Sequence, residues 1–303
     1  DGQTLVFDLN GPDRPLEVYR LPLGHAGGAA AVTRSYRAGW AGGDFAAPDL
    51  VHIESFDGLS IPAWYYRAGD AAPAAAIVAV HGGPEGQSRP IFSALYQYWV
   101  SLGVSVLVPN VRGSTGYGKT YTHLDDVGRR EDAIRDLAAV TEWLRLKPDI
   151  DADRVVVYGG SYGGYMVMAG LTWFPELYRA GVELVGIVNL ESFLEKTSPW
   201  RRALREAEYG SLERDRAVLR ELSPIHRIDR LKAPLFIGHG RNDPRVPYAE
   251  AEQVAQALAA RGVPHVLFPM DDEGHGAVRL SNQRRLYAAV MEFLSSHAGF
   301  PGE

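Results

Sequence analysis

The sequence predicts an α/β protein with a mostly parallel central sheet that is covered by helices on both faces. From about residue 48 onward, short apolar runs typical of buried strands alternate with longer stretches whose apolar residues recur at helical spacing. That alternation is the pattern of parallel strands joined by crossover helices. Of the 303 residues, 46% are hydrophobic, so the chain can bury a sizeable core.

The N-terminal residues follow a different pattern. Residues 5–7 and 16–19 are short β runs on either side of the turn-rich segment 10–13, which predicts one hairpin. Residues 24–30 have the composition of a flexible connector. A lone hairpin is only marginally stable in water, and this one has nothing of its own to pack against.

Eight strands are predicted after the hairpin. The first two, 51–53 and 61–66, form an antiparallel pair, and the others are expected at 76–80, 104–109, 154–158, 184–189, 234–238 and 265–269. Helices are predicted over 131–146, 250–260 and 284–295. Two antiparallel strands followed by six parallel ones is the strand count of the α/β-hydrolase fold. Residues 191–222 interrupt the alternation with a charged, aromatic and helical segment, which we expect to cover the catalytic edge of the sheet.

Composition argues against several classes of function. The formal net charge is −6 and no Lys/Arg-rich block is present, so we predict no nucleic-acid partner. No apolar run approaches the length of a bilayer span, so we predict no membrane partner either. The sequence contains no Cys, which excludes disulfides, thiolate metal sites and Cys nucleophiles and favours a reducing, cytoplasmic location. Because the chain begins with Asp1 instead of Met, we expect a processed product or a piece of a longer chain.

The pentapeptide Gly-Gly-Ser-Tyr-Gly at residues 159–163 matches the pattern G-x-S-x-G. It follows a predicted strand and precedes a run compatible with a helix, which is the context of a nucleophile elbow. Such a sharp turn exposes the serine, and its glycines are needed because a Cβ there would clash with neighbouring backbone. We therefore predict Ser161 as a nucleophile; a Gly-rich helix entry without catalysis is the alternative.

A serine hydroxyl needs a base to take its proton, and in this fold the partners follow in the order Ser, acid, His on loops after later strands. Asp243 and His275 stand in that order after the last two predicted strands. His239 precedes the acid, and Asp271 and Asp272 share the loop of His275. We predict Asp243 as the orienting acid and His275 as the base; each has the alternative of a solvated loop residue.

The loop that follows the strand 76–80 reads His-Gly-Gly-Pro. Backbone amides in a Gly-rich loop can point at a developing oxyanion. In this fold one donor comes from that loop and the other from the residue after the nucleophile, which nominates the amides of Gly83 and Tyr162. An ordinary turn between strand and helix is the alternative. No metal and no cofactor are needed for this chemistry.

Residues 113–120 match the P-loop pattern G-x-x-x-x-G-K-[ST]. A P-loop also needs a helix that starts at the Lys, but residues 121–126 lack a helical apolar stripe. A second strand with an Asp for Mg²⁺ is also missing from the pattern. Nucleotide binding is therefore not predicted.

Together, the elbow motif of residues 159–166, the His-Gly-Gly-Pro loop and the segment Asn-Val-Arg-Gly-Ser-Thr-Gly-Tyr-Gly at 110–118 resemble the catalytic domain of the prolyl oligopeptidase family. The likeness is greatest to its acylaminoacyl-peptidase branch, and it runs from about residue 48 to the end. The resemblance implies an N-terminal β-propeller that screens substrates by size. Residues 1–36 would then be the last strands of the propeller and a connector, and residues 37–303 the catalytic domain.

The resemblance also implies roles for residues near the acid. Arg245 would bind a backbone carbonyl of the substrate, and Val246 would line the pocket before the scissile bond; a surface ion pair is the alternative for Arg245. Residues 197–205 stand where the pocket is expected, and they contain Trp200, Arg201 and Arg202 together with a third arginine. Arginine suits a carboxylate ligand, so these residues are candidates for substrate binding, with a solvated helix face as the alternative.

The sequence thus predicts a serine peptidase that hydrolyses short peptides through an acyl-enzyme on Ser161. Release of an acylated N-terminal residue and carboxypeptidase-like release of a C-terminal residue both stay open. A carboxylesterase or lipase with the same triad is the second hypothesis, since fold and triad do not decide the substrate. A non-catalytic fragment of a larger peptidase is the third. The oligomeric state, including a homo-oligomer, is open.

Overall fold

A computed structural model of the chain describes residues 2–24, 27–35, 39, 45–69 and 73–301. The N-terminal hairpin is longer than predicted and consists of β1 (Thr4–Gly11) and β2 (Arg14–Pro22). A third short strand, β3 (Ala30–Ala31), pairs with β2 where the predicted connector ends. The predicted domain boundary between residues 36 and 37 lies outside the described residues.

The hairpin is not isolated, so the prediction that it has nothing to pack against is wrong. The side chain of Asn10 accepts the N–H of Phe92 at 3.0 Å. The carbonyl of Pro12 accepts from the amide of Gln97, also at 3.0 Å. Both contacts join the turn of the hairpin to the first helix region of the main domain.

The main sheet has eight strands in the order β11-β10-β9-β8-β6-β7-β5-β4. All neighbouring pairs are parallel except the two that involve β5, so β5 alone runs against the others. The strands are β4 (Asp49–Glu54), β5 (Ser60–Tyr66), β6 (Ala74–Val80), β7 (Ser105–Pro109), β8 (Ile150–Gly160), β9 (Ala180–Leu184), β10 (Leu235–Gly240) and β11 (His265–Met270).

Helices cover both faces of the sheet. They are α1 (Ala94–Ser101), α2 (Lys119–Thr122), α3 (Arg130–Arg145), α4 (Tyr162–Trp173), α5 (Leu190–Lys196), α6 (Pro199–Tyr209), α7 (Arg216–Glu221), α8 (Ala249–Arg261) and α9 (Leu280–Ala298). Successive side chains of β6 enter two different cores, because side chains alternate along a strand: Ala76 and Val78 join one, Ile77 and Ala79 the other. Helices α3, α4 and α8 pack in the first core, and α1 and α9 in the second.

One predicted strand is misplaced. The strand expected at residues 184–189 lies at Ala180–Leu184 instead. The chain leaves the sheet at Val185, which has a positive φ of 48° that a β-branched residue rarely adopts. The apolar residues that follow are buried as a loop, because the buried carboxylate of Glu250 accepts the N–H groups of Val188 and Asn189.

The segment 191–222 folds as predicted into helical structure, here α5, α6 and α7. It follows the C-terminal end of β9 and so lies at the edge of the sheet where the parallel strands end. Open α/β sheets place their functional loops at this edge. None of the helices within the described residues is both long and apolar enough to cross a membrane.

Candidate active site

Ser161 stands between the last residue of β8 and the first residue of α4. Its backbone has φ 60° and ψ −117°, a conformation that is strained for a residue with a side chain. The N–H of Ser161 donates to the carbonyl of Leu184 at 2.9 Å, which ties the turn to the end of β9. The surrounding contacts therefore hold the serine in the geometry that G-x-S-x-G predicts.

The glycines of the motif are required by close backbone approach. A Cβ on Gly159 would collide with the carbonyl of Gly163, and a Cβ on Gly163 would collide with the carbonyl of Val80. The strand before the serine, the helix after it and the end of β6 are therefore in direct backbone contact. No other residue type fits at these two positions without moving the elbow.

Ser161, His275 and Asp243 meet although they come from three distant segments. The Oγ of Ser161 lies 2.9 Å from Nε2 of His275, and Nδ1 of His275 lies 2.7 Å from Oδ2 of Asp243. An ionised carboxylate can only accept, so Nδ1 carries the proton and Nε2 has a free lone pair for the serine hydroxyl. That tautomer is the one that a general base for Ser161 requires.

The carboxylate of Asp243 is fully enclosed and fully hydrogen-bonded. Its Oδ1 accepts the N–H groups of Arg245 at 2.7 Å and Val246 at 3.0 Å. Burial alone would raise the pKa of Asp243, but the hydrogen bonds from His275, Val246 and Arg245 outweigh it and lower that pKa. The acid therefore stays ionised while it orients the imidazole.

The rival acids and histidines are engaged elsewhere. Asp271 pairs with Arg241 at 2.6 Å, and Asp272 pairs with Arg279 at 3.2 Å. His239 is buried, and its Nε2 donates to the carbonyl of Val246 at 3.0 Å. Nε2 of His239 also lies 3.5 Å from Oδ2 of Asp243, so this ring contacts the acid as well. Burial lowers the pKa of His239, which keeps the ring neutral.

The loop after β6 lies against the nucleophile. A Cβ on Gly82 would stand 3.4 Å from the Cβ of Ser161, so the loop backbone passes directly beside that side chain. Gly83 has a φ of 147°, and a Cβ there would be 2.7 Å from the backbone nitrogen of Glu85. The amide of Tyr162, as the first residue of α4, has no carbonyl partner one turn earlier. Both nominated amides thus belong to segments that border Ser161.

The segment that matches the P-loop pattern contacts the loop after β6. Nε2 of His81 lies 2.9 Å from Oγ of Ser114, and the N–H of Thr115 donates to the carbonyl of Gly86 at 2.8 Å. The expectation that no helix follows the Lys is wrong in detail, because α2 begins at Lys119 and makes one turn. The Lys119 side chain is nevertheless exposed, and Ser114 is buried as a support for the loop.

The arginines predicted near the substrate divide into two groups. Arg202 donates from Nη2 to the carbonyls of Glu195 at 2.9 Å and Thr197 at 3.3 Å, which caps the C-terminal end of α5. Those contacts favour a structural role over the substrate contact predicted for Arg202. Arg205 lies 3.5 Å from the carboxylate of Glu85 in the oxyanion loop.

Arg201 and Arg245 are different. Neither guanidinium has a hydrogen bond or ion pair with another group in the part of the chain that the structure describes. Burial and the neighbouring positive charges of Arg205 and Arg245 lower the pKa of Arg201. The charges of Arg245 and Asp243 also act on Arg201, so Arg201 lies within electrostatic range of the loop that carries both.

The remaining two predicted substrate residues differ in exposure. Val246 belongs to the loop that carries Asp243 and is only 2% exposed. Trp200 is 76% exposed on the outer side of α6. Their roles toward a substrate stay predictions.

A family model described as the prolyl oligopeptidase family, Peptidase_S9, matches residues 90–300 of the chain. The chain belongs to the prolyl oligopeptidase family. This membership confirms the family resemblance seen in the sequence and the prediction of a domain of the serine-peptidase type.

Among curated members of the prolyl oligopeptidase family, dipeptidyl aminopeptidase BIII of Pseudoxanthomonas mexicana is 33% identical over 99% of this chain and 45% of its own length. A puromycin-hydrolyzing peptidase of Mycobacterium tuberculosis has a similar structure, with a TM-score of 0.91 and 27% identity over 99% of this chain and 47% of that one. The acylaminoacyl peptidase of Pyrococcus horikoshii has a TM-score of 0.87 and 26% identity, over 99% and 49% respectively.

These similarities confirm the predicted α/β-hydrolase fold. The chain spans less than half the length of these members of the prolyl oligopeptidase family. The activity, substrates and partners of the whole protein are therefore matters for proposal.

Sequence analysis missed two sets of buried charges around the elbow. Glu183 lies in β9 directly opposite Gly159, and its Oε1 accepts the N–H of Gly186. An acidic residue inside an apolar strand was a visible signal for it. Arg130, Asp125 and Glu208 form the second set, and no local pattern marks them.

One acidic group among the described residues has the spacing of metal ligands. Oxygens of Asp125, Asp126 and Glu208 lie within 4.8 Å of one another. The guanidinium of Arg130 already bonds two of these carboxylates, so a cation is present without a metal ion. The prediction that the chemistry uses no metal stays a prediction.

Replacing the orienting acid tests its assignment. We expect Asp243→Asn to fold normally and to lose about 10⁴-fold in kcat, because the imidazole no longer has an acceptor that selects its tautomer. The measurement is steady-state hydrolysis of an activated ester, with circular dichroism to check the fold.

Asp272→Asn is the matched control, since Asp272 lies on the loop of His275 but pairs with Arg279. It should retain activity within a few-fold. A loss in Asp272→Asn as large as that in Asp243→Asn would show that the acid has been assigned wrongly.

Glu183 gives a prediction about stability and pH. Burial raises its pKa from 4.5 to about 8, so the folded protein keeps this proton over a range in which the unfolded chain has lost it. The free energy of unfolding therefore falls as pH rises from about 4.5 to 8. Glu183→Gln removes this term, so its melting temperature relative to wild type should be higher at pH 8 than at pH 5.

The exposed Glu54 supplies the control, because Glu54→Gln should shift the melting temperature equally at both pH values. Thermal unfolding of the three proteins at pH 5 and pH 8 makes the comparison. If the difference between Glu183→Gln and wild type is the same at both pH values, Glu183 does not titrate as described.

Proposed function

We propose that the chain is the catalytic unit of a serine peptidase that hydrolyses short peptides through an acyl-enzyme on Ser161. The observation that carries the proposal is the Ser161–His275–Asp243 arrangement, with contacts of 2.9 and 2.7 Å, in a chain of the prolyl oligopeptidase family. The lone pair on Nε2 of His275 faces the serine hydroxyl, and the buried carboxylate of Asp243 holds the ring in that orientation.

The reaction would begin when His275 takes the proton of Ser161 as Oγ attacks the scissile carbonyl. The amides of Gly83 and Tyr162 would donate to the oxyanion that forms. His275 would then give its proton to the leaving amine, and water would release the acyl group by the same steps in reverse. Asp243 stabilises the transient imidazolium, since its lowered pKa keeps it ionised.

Substrate binding is assigned to the residues around the acid. Arg245 follows Asp243 closely and has an exposed side chain, which supports contact with a backbone carbonyl of the peptide. Val246 lies beneath it and would line the pocket before the scissile bond. A carboxylesterase acts with the same triad. The neighbouring arginines favour a peptide substrate, because a simple ester lacks the backbone groups that they would bind.

A fluorophosphonate probe and a substrate panel test the proposed function. The probe should label Ser161 and no other serine, and Ser161→Ala should abolish labelling and lower kcat by about 10⁶-fold. The panel contains acylated peptides, free peptides and p-nitrophenyl esters, with products identified by mass. Label on Ser114, or turnover of esters without any peptide, would contradict the assignment, and an unlabelled protein would indicate a non-catalytic fragment.

A second proposal concerns which end of the peptide is recognised. Neither Arg201 nor Arg245 has an ion-pair partner among the described residues, the charge of Arg245 acts on Arg201, and guanidinium groups bind carboxylates bidentately. Two such groups near the acid support recognition of the free carboxylate of a short peptide, and thus carboxypeptidase-like release of a C-terminal residue. Release of an acylated N-terminal residue, which the name of the Pyrococcus horikoshii relative describes, is the alternative.

The carboxylate proposal predicts a ratio of rates. A charge-assisted hydrogen bond contributes about 1.5–3 kcal/mol, so a peptide acid should be cleaved roughly ten- to hundredfold faster than the corresponding amide. Arg201→Ala should bring this ratio of kcat/KM values close to one while ester hydrolysis stays nearly unchanged.

Arg214→Ala replaces an exposed arginine of the following loop and should keep the wild-type ratio. Equal rates for acid and amide in the wild-type protein would show that the arginines do not bind the substrate carboxylate. That result would not affect the proposal that the chain is a peptidase.

Three wider expectations also stay proposals. The absence of Cys supports a cytoplasmic location. The longer relatives support an N-terminal β-propeller as a partner of residues 37–303, with residues 1–36 as its remnant. A homo-oligomer is open, and sedimentation of the full chain would decide it.

A further inference from the structure

Arg130 is fully buried at the start of α3, and the proposed chemistry makes no use of it. Its Nη1 donates to Oδ2 of Asp125 at 2.9 Å. Its Nη2 donates to Oε1 of Glu208 at 2.6 Å and to the backbone carbonyl of Glu208 at 2.9 Å. A buried guanidinium that makes three such bonds is held firmly in place, and its loss would leave two buried carboxylates without their cation.

The same guanidinium contacts two aromatic rings. Its central carbon lies 5.3 Å from the ring centre of Tyr162 and 4.5 Å from that of Tyr209. Tyr162 is the residue whose amide is assigned to the oxyanion, and its hydroxyl donates to Oδ2 of Asp125 at 3.3 Å. Tyr209 is the last residue of α6. Arg130 therefore touches both the first residue of α4 and the C-terminal end of α6.

The inner face of α6 links this contact to the substrate arginines. Arg201, Arg205 and Glu208 are spaced i, i+4 and i+7, so they lie along one face of the helix. Trp200 and Leu204 lie on an adjacent face, roughly 90° around the helix axis, and they are 76% and 64% exposed. Glu208 and Tyr209 are the buried residues of α6, and Arg130 contacts both, through the carboxylate of Glu208 and the ring of Tyr209. The contacts of Arg130 with these two residues therefore hold the C-terminal turn of α6.

Charge balance shows how the cluster tolerates a change at Glu208. Two buried carboxylates share one guanidinium, and Asp126 adds a third negative charge nearby. Burial, together with Glu208 and Asp126, raises the pKa of Asp125 to about 7 in spite of Arg130. Neutralising Glu208 leaves one buried carboxylate for one guanidinium, so a Gln at this position preserves a balanced pair.

We propose that Arg130 is a positioning residue that fixes the rotation of α6 against Tyr162, and thereby places Arg201 for the substrate carboxylate. The inference rests on the proposed function, because the position of Arg201 is measured by the preference for peptide acids over peptide amides. It gives a reason why Arg201 faces the site while apolar residues of the same helix are exposed.

The test weakens the contact between α6 and Arg130 and measures the preference for a free carboxylate. In Glu208→Gln the neutral amide holds the guanidinium more weakly, while the backbone carbonyl of residue 208 stays bonded, so α6 is held less firmly. We expect the acid-to-amide ratio of kcat/KM to fall at least threefold, through a higher KM for the acid. The rate of fluorophosphonate labelling at Ser161 should stay within twofold of wild type, because the elbow does not depend on α6.

Glu206→Gln is the matched control. It makes the same chemical change in the same helix, and among the described residues Glu206 has no contact with Arg130. It should keep the wild-type ratio.

A double-mutant cycle with Arg201→Ala gives the second readout, since Glu208→Gln should change the ratio no further once Arg201 is absent. If Glu208→Gln does not fold, Arg130→Lys replaces it and should give an intermediate ratio, as one ammonium cannot bond both carboxylates in the same geometry.

The outcomes separate the two proposals. Absence of labelling and of peptide cleavage in wild type refutes the proposed function itself. A high ratio in wild type that Arg201→Ala lowers and Glu208→Gln leaves unchanged overturns the positioning role alone. Equal losses on acid, amide and labelling would also overturn it, because they describe a fold element instead of a positioning residue.

Discussion

The close approach of three backbones around Ser161 is the constraint on which the rest of the site depends. The end of β6, the end of β8 and the first turn of α4 touch without any side chain between them, at Gly159 and Gly163. Because backbone atoms in contact cannot shift independently, the serine, the oxyanion loop after β6 and the amide of Tyr162 share one rigid frame. The positive φ of Ser161 is held by that frame and by its bond to Leu184. The acid lies on the loop after β10, and the histidine lies on the loop after β11.

The electrostatic arrangement is layered around this frame. Carboxyl groups lie beneath the site, with Glu183 behind the elbow and Asp125 beside Tyr162, and burial raises the pKa of both. Guanidinium groups lie at its mouth, where Arg201 and Arg245 have no anionic partner among the described residues. Asp243 differs from the two buried carboxyl groups, because its hydrogen bonds lower its pKa and keep it ionised. The ionised acid of the site and its protonated neighbours are thus distinguished by hydrogen bonding and not by depth.

Most of the fold and the triad could be predicted because their signals are local. Each parallel strand is an apolar run, and each of Ser161, Asp243 and His275 follows the end of such a run within a few residues. The strand near residue 184 was misplaced because its apolar run continues past the point where Val185 leaves the sheet. The loop that follows is satisfied by Glu250, whose role no local pattern reveals. Arg130 could not be predicted for the same reason, since its partners come from separate segments and a buried arginine looks like any other in a sequence.

Helix α6 has buried contacts at one end and exposed apolar residues along one side. Glu208 at its C-terminal end bonds Arg130, Arg201 near its start is proposed to bind the substrate, and Trp200 and Leu204 are exposed. If Arg201 binds the substrate as proposed, substitutions at Arg201 would alter ligand preference without touching the buried contacts of α6, whereas loss of Arg130 would leave two buried carboxylates without their cation. The exposed part of α6 can therefore vary in sequence while its buried end keeps its place in the fold.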